Sequence, residues 1–227
     1  MRALVRRLVN YLGYDLIGYV PSGRYLCDDI PGWFTVNEAR LLYTTVALCR
    51  PRRVLEIGTF LGRSTATMAL AIRDGGLACE FTSVDLDVAD EASNLRQMPM
   101  THGRPSIVPR EYQLAFAEGL STSAYARQRL QRHGLEPYVR LASGDFHAVA
   151  SGPYDLVFAD CLHDADEIRR NAPGILPLLA TGGILAVHDA TPANRKELTD
   201  LTPALRFISS EDSLALYRCD QGPSSSR

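Results

Sequence analysis

Arg53-Val-Leu-Glu-Ile-Gly-Thr-Phe-Leu-Gly-Arg-Ser-Thr65 is the stretch on which the reading of the fold turns. Val54, Leu55 and Ile57 form a short apolar run suited to a parallel strand covered on both faces, and Ser64 to Arg73 reads as the helix returning across it. Gly58 and Gly62 bracket the turn, and Glu56 stands near the strand's end. Glycine permits positive φ and lets a ligand approach bare backbone, while the free N–H groups of a helix start offer donors to a carboxylate or phosphate. Ser64 adds a hydroxyl donor. The spacing is Glu-x-Gly-x-x-x-Gly, not Gly-x-Gly-x-x-Gly, which favours a site for an amino-acid tail over a tight pyrophosphate turn. The layout is that of a nucleoside cofactor pocket.

Outward from this stretch the pattern repeats. Thr35 or Asn37 caps a helix through Cys49, closed by Pro51, that delivers the first strand. Further strands are expected at Phe81 to Val84, ending at Asp85, and at Tyr138 to Ala142, ending near Asp145. Two more, Asp155 to Ala159 and Gly183 to Val187, end at Asp160 and at His188-Asp189. Repeated βα units require an α/β, doubly wound, mostly parallel sheet. A helix from Ala193 to Leu201 then leads to Leu205–Ser209 and Ser213–Arg218, an antiparallel hairpin turning at Glu211-Asp212. With the hairpin the sheet is expected to be seven-stranded.

The 227 residues suffice for one sizeable domain, and a 46% hydrophobic content supports its core. A net charge of −2 gives no global basic field to collect nucleic acid, so a small-molecule substrate is favoured. Cys27, Cys49, Cys79, Cys161 and Cys219 are scattered and never in a Cys-x-x-Cys pair, the usage of reduced cytoplasmic thiols. No signal peptide is read, and no apolar run reaches the roughly 18 residues of a spanning helix, so no stable membrane insertion is expected.

Residues 1–36 are read as an extension in which Leu4, Val5, Leu8, Val9 and Leu12 line an amphipathic helix opposite Arg2, Arg6 and Arg7. That helix is expected to pack on the domain or on a second subunit. Residues 37–219 form the main domain, and 220–227 a polar, disordered tail. Because the helix before the third strand fits Thr122 to His133, residues 88–120 are extra chain leaving a strand's C-terminal end, where open α/β sheets bind ligands. This insertion is the candidate substrate lid.

In this order of motifs, over Thr35 to Cys219, the chain resembles the class I S-adenosylmethionine-dependent methyltransferases. The likeness is to small O-methyltransferases of the catechol type and to bacterial natural-product and sugar O-methyltransferases. It implies S-adenosylmethionine as cofactor, held by Glu56, Gly58, Thr59, Phe60, Gly62 and Ser64 at the first turn. Asp85 would accept from the ribose hydroxyls, with Asp87 as the second choice. Asp145 would take the adenine amino group and Phe146 cover the ring, while Asp160 stands beside the sulfonium.

Asp160, His188 and Asp189 are expected in one crevice, where three such side chains can hold a divalent cation. Carboxylates with retained waters suit Mg²⁺, whereas an imidazole shifts preference toward Mn²⁺, Fe²⁺ or Zn²⁺. Catechol-type relatives carry Asp-Asn where this chain has His188-Asp189, a departure that bears on metal binding. His163 follows Asp160 by three residues, the offset at which that family places a catalytic lysine, and is the expected general base. Asp160 and His188 complete the catalytic set, with His188 the alternative base in a metal-independent N- or O-methyltransferase. A nicotinamide-dependent oxidoreductase is the rival from another class, disfavoured by the glycine spacing. A homo-oligomer is expected, as in related enzymes.

Overall fold

The computed structural model describes residues 25–97 and 109–220, together with the backbone of two short strand pairs, Tyr14–Asp15 with Val20–Pro21 and Met100–Thr101 with Arg104–Pro105. The expected N-terminal amphipathic helix and the end of the C-terminal tail lie outside the described residues.

Helix α1 (Val36–Cys49) opens on a capping box: the Thr35 hydroxyl accepts from the Glu38 amide, and the Glu38 carboxylate accepts from the Thr35 amide. Of the two capping residues considered, Thr35 serves. Strand β1 (Arg53–Ile57) and helix α2 (Arg63–Asp74) follow, then β2 (Glu80–Asp85). The insertion is not plain loop, because it carries helices α3 (Glu91–Gln97) and α4 (Tyr112–Ala117). Asp90 accepts from the Ser93 amide at the start of α3, a local turn that the polar sequence conceals.

Helix α5 (Thr122–Arg132) leads to β3 (Arg140–Ser143). Tyr138, expected to open that strand, lies instead in a 3₁₀ turn, Glu136–Tyr138. Pro137 has no N–H to give a ladder, which disfavours sheet there. The short α6 (Phe146–Val149), β4 (Tyr154–Ala159), α7 (Ala165–Ile175) and β5 (Leu179–Val187) come next. The described chain closes with α8 (Pro192–Leu201), β6 (Leu205–Glu211) and β7 (Leu214–Cys219).

The seven strands lie in the order β6-β7-β5-β4-β1-β2-β3. The five from β5 to β3 are parallel, and β7 runs antiparallel to both its neighbours, β5 and β6. Alternation along each strand feeds two cores. Val54, Phe81 and Phe158 pack under α1 and α2, while Leu55, Val157 and Leu185 pack under α7 and α8. Each fully buried side chain of this size contributes about 1.5–3 kcal/mol. A smaller cluster of Leu61, Val88, Tyr112 and Tyr125 seats the insertion against the β1–α2 turn.

The chain order reverses between β1 and β4, and crevices for ligands form at such switch points. The loops there are held by amides reaching across to the neighbouring strand. Gly58 N donates to Val84 O at 2.9 Å, Asp160 N to Ile57 O at 2.8 Å, and His188 N to Ala159 O at 3.1 Å. No helix among the described residues is long and apolar enough to cross a membrane.

Candidate active site

A cleft of about 1380 Å³ opens at the C-terminal ends of the parallel strands. Of the residues expected from the sequence, Gly58, Thr59, Phe60, Ser64, Asp85, Asp145 and Phe146 line it. Asp160, His163, His188 and Asp189 line it as well. Trp33 and Tyr112, for which the sequence supports no chemical role, also face it.

The β1–α2 turn needs its glycine. Gly58 has φ +101°, and a Cβ there would lie 2.9 Å from the Asp160 carbonyl oxygen. Gly62 does not line the cleft; it packs against Ala126 of α5 with φ +94°. Phe60 adopts the left-handed region, and its amide donates to Asp85 Oδ2 at 2.6 Å, while the Leu86 amide donates to Oδ1 at 2.6 Å. Burial pushes the Asp85 carboxyl up despite these bonds. Asp87 is spent on structure, accepting from the Ser123 amide at the start of α5. Asp145 accepts from the His147 amide and so caps α6, which sets Phe146 at the cleft wall. His147 packs against Gly174 of α7, a structural role.

Glu56, expected to touch the cofactor, does not line the cleft and is fully buried beneath α2. Its carboxylate accepts from Ser64 Oγ at 2.5 Å, Thr65 Oγ1 at 2.5 Å and Ser83 Oγ at 2.6 Å. Burial pushes its pKa up to about 7, the three hydroxyls offsetting part of that cost. Alternation explains the placement: Glu56 shares a face with Val54, toward α2, whereas Leu55 and Ile57 face the other way.

Around Asp160, His163 Nδ1 lies 2.6 Å from Glu167 Oε2, and its Nε2 lies 3.5 Å from Asp160 Oδ1 and 3.9 Å from Asp189 Oδ2. Burial alone would lower the His163 pKa, but Asp160 and Glu167 outweigh it and push it up to about 10. Asp160 is driven the other way: burial is overcome by both imidazoles, which hold it well below the usual carboxylate range. Asp189 is in the left-handed region at φ +54°.

The expected ligand set of Asp160, His188 and Asp189 changes in one member. Among the described residues, Asp160, His163 and Asp189 are the group whose ligand atoms all lie within 4.8 Å of one another. His188 is only 5% exposed, with Nδ1 3.0 Å from Asp160 Oδ1 and Nε2 3.6 Å from Glu38 Oε2. Burial would lower its pKa, but the two carboxylates raise it to about 11. His188 turns its second nitrogen to the buried Glu38 and so falls outside that group. Two carboxylates and one imidazole suit a divalent cation such as Mn²⁺, so the donor set present fits one.

Glu38 and Glu167 are site residues that sequence reading missed. Glu167 had a local signal, its position four residues after His163 at the start of a helix. For Glu38 the only signal was its role in the capping box.

Fold and cleft together define an α/β protein that binds its ligands at a strand switch point. The chain belongs to the methyltransferase-domain family, whose model matches residues 55–190. Among solved structures it is similar to Rv0187 from MTB, solved cofactor-bound, at 20% identity and TM-score 0.58, over 95% of this chain and 97% of that one. It is similar also to the O-methyltransferase TomG from Streptomyces achromogenes, involved in tomaymycin synthesis and solved in complex with SAM (18% identity, TM-score 0.53, 86% and 83% covered). The methyltransferase PaMTH1 of Podospora anserina, solved SAH-bound, matches at 17% identity and TM-score 0.52 over 85% and 81%. These likenesses are of fold, and nothing in the matches supports the oxidoreductase alternative.

Proposed function

We propose that the protein transfers the methyl group of S-adenosylmethionine to an oxygen of a small hydroxylated compound, a phenol, catechol, polyketide or sugar, with help from a divalent cation. The observation that carries this reading is the convergence of Asp160, His163 and Asp189 in the same cleft as the glycine turn and Asp85, with Gly58 directly against Asp160.

Each group then has a task. The amides at the start of α2 hold the amino-acid tail, Asp85 meets the ribose, and Phe146 covers the adenine. A bound S-adenosylmethionine supplies an electrophilic methyl carbon, and a bound cation would lower the pKa of an acceptor hydroxyl. Asp160, His163 and Asp189 would hold that cation. Glu167 keeps a proton on His163 Nδ1, so that Nε2, once unprotonated, offers one lone pair, which ligates when the cation is bound and accepts the acceptor's proton in the metal-independent alternative. Methyl transfer is displacement at carbon, and orienting the two reactants can supply about 7–11 kcal/mol of the barrier. Residues 88–120, with Tyr112 over the cleft, serve as the lid.

Calorimetric titration with S-adenosylhomocysteine, with and without Mn²⁺, tests donor and cation together; binding of both is expected. Absence of any heat with S-adenosylhomocysteine overturns the donor assignment. Over a panel of phenols, catechols and sugars, activity is expected to vanish on chelation and return with Mn²⁺ or Mg²⁺. Activity that survives chelation leaves the metal-independent alternative. His163→Ala is expected to lower kcat about 10²- to 10⁴-fold with unchanged S-adenosylhomocysteine affinity.

A further inference from the structure

Glu38 is more deeply involved than its place in a helix cap requires. A capping-box glutamate ordinarily sits in the solvated first turn; this one is 1% exposed. Its Oε1 accepts from the Ser213 amide at 2.9 Å and from Ser213 Oγ at 2.5 Å, in the β6–β7 turn. Its Oε2 accepts from the Thr35 amide at 2.7 Å and lies 3.6 Å from His188 Nε2. That nitrogen is buried and makes no hydrogen bond among the described residues, so Glu38 is the group it faces. The His188 ring packs beside Phe34 and Phe158, with centroids 5.7 and 6.4 Å away, and its other nitrogen reaches Asp160 Oδ1 at 3.0 Å.

We propose that Glu38 is a positioning residue of the active site: acting through His188, it sets the orientation of the Asp160 carboxylate. Glu38, His188 and Asp160 form a line from the buried start of α1 to the cleft. A half-turn of the imidazole would take Nδ1 away from Asp160, and the carboxylate behind the ring disfavours that turn because it attracts an N–H, not a C–H. His188 and His163 both address Oδ1 of Asp160, leaving Oδ2 outside these contacts. The importance of this orientation for cation binding rests on the function proposed above; the line of contacts itself does not. Outer groups that orient a ligand typically change metal affinity about 10- to 100-fold when altered.

The test uses the full chain labelled with ¹⁵N-histidine. The buried His188 Nδ1–H, bonded to a carboxylate, is expected as a low-field imidazole resonance identified by its loss in His188→Asn. In Glu38→Gln this resonance should shift or broaden away, and Mn²⁺ affinity, followed by paramagnetic resonance, should fall about 10- to 100-fold. Glu38→Asp keeps the charge at a shorter reach and serves if the glutamine variant fails to fold. Ser213→Ala removes the hydroxyl bond to Glu38 but leaves the amide bond to the hairpin and the line to His188, and should keep both signals. An unchanged resonance in the folded Glu38 variant overturns the proposal, as does equal loss of both signals in Ser213→Ala. If the unsubstituted protein binds no Mn²⁺, the cation assignment falls and the resonance alone decides the role of Glu38.

Discussion

Glu56 shows how far a single side chain can be read in advance. An acid inside an apolar strand beside a glycine turn marks a ligand site by type, yet the side chain turns away from the ligand and ties Ser64, Thr65 and Ser83 together beneath it. Its pKa rises from 4.5 to about 7 on folding, because burial penalises the charge. The folded state therefore binds the proton more tightly than the unfolded chain, and stability falls as pH rises through that interval and levels off above it. The drop amounts to about 3 kcal/mol. Glu56→Gln is neutral throughout, so between pH 4.5 and 8 the unsubstituted protein should lose about that much stability relative to the variant in urea unfolding at each pH. Parallel pH profiles for the two proteins would refute the assignment. The two histidines teach a related lesson: both follow strand ends and line the cleft, and which one joins the candidate cation group depends on carboxylates such as Glu38 that lie far away in sequence.

At the scale of elements, strands announced themselves as apolar runs that stop at an acid, and β1, β2 and β4 were legible to within a residue or two. The insertion was not, because α3 is short and polar, α4 is only six residues long, and prolines separate them, so neither carries a clear 3.6-residue period. What the insertion does is visible in its contacts. Trp33, the only tryptophan of the chain, lies 5.3 Å from Phe60, which lies 5.0 Å from Tyr112 at the start of α4. The Trp33 indole N–H donates to Glu111 at 3.2 Å. A segment before α1 and a segment of the insertion thus clasp each other across the glycine turn, whose Phe60 amide is bound to Asp85. Occupation of the ribose site should disturb that stack, so titration with S-adenosylhomocysteine is expected to produce a saturable change in tryptophan emission. A flat trace alongside measurable binding heat would show that the clasp does not sense the donor.

For the molecule as a whole, the doubly wound sheet and the closing hairpin followed from the order of elements, while the pairing of distant charges did not, since no local pattern encodes it. Phe207 and Ile208 stand on the edge strand β6, 47% and 48% exposed. With that edge available to a second copy, light scattering should give a mass that is a multiple of 25.0 kDa, and a single-chain mass at high concentration would count against association. The bond from Glu38 to Ser213 spans 175 residues of chain. During synthesis, then, a polypeptide that already has its glycine turn, its acids and both histidines still lacks the anchor behind one of them. Competence waits for the closing strands to arrive from the ribosome, and a protein nicked in that last turn would be disarmed at a distance while most of its sheet stood intact.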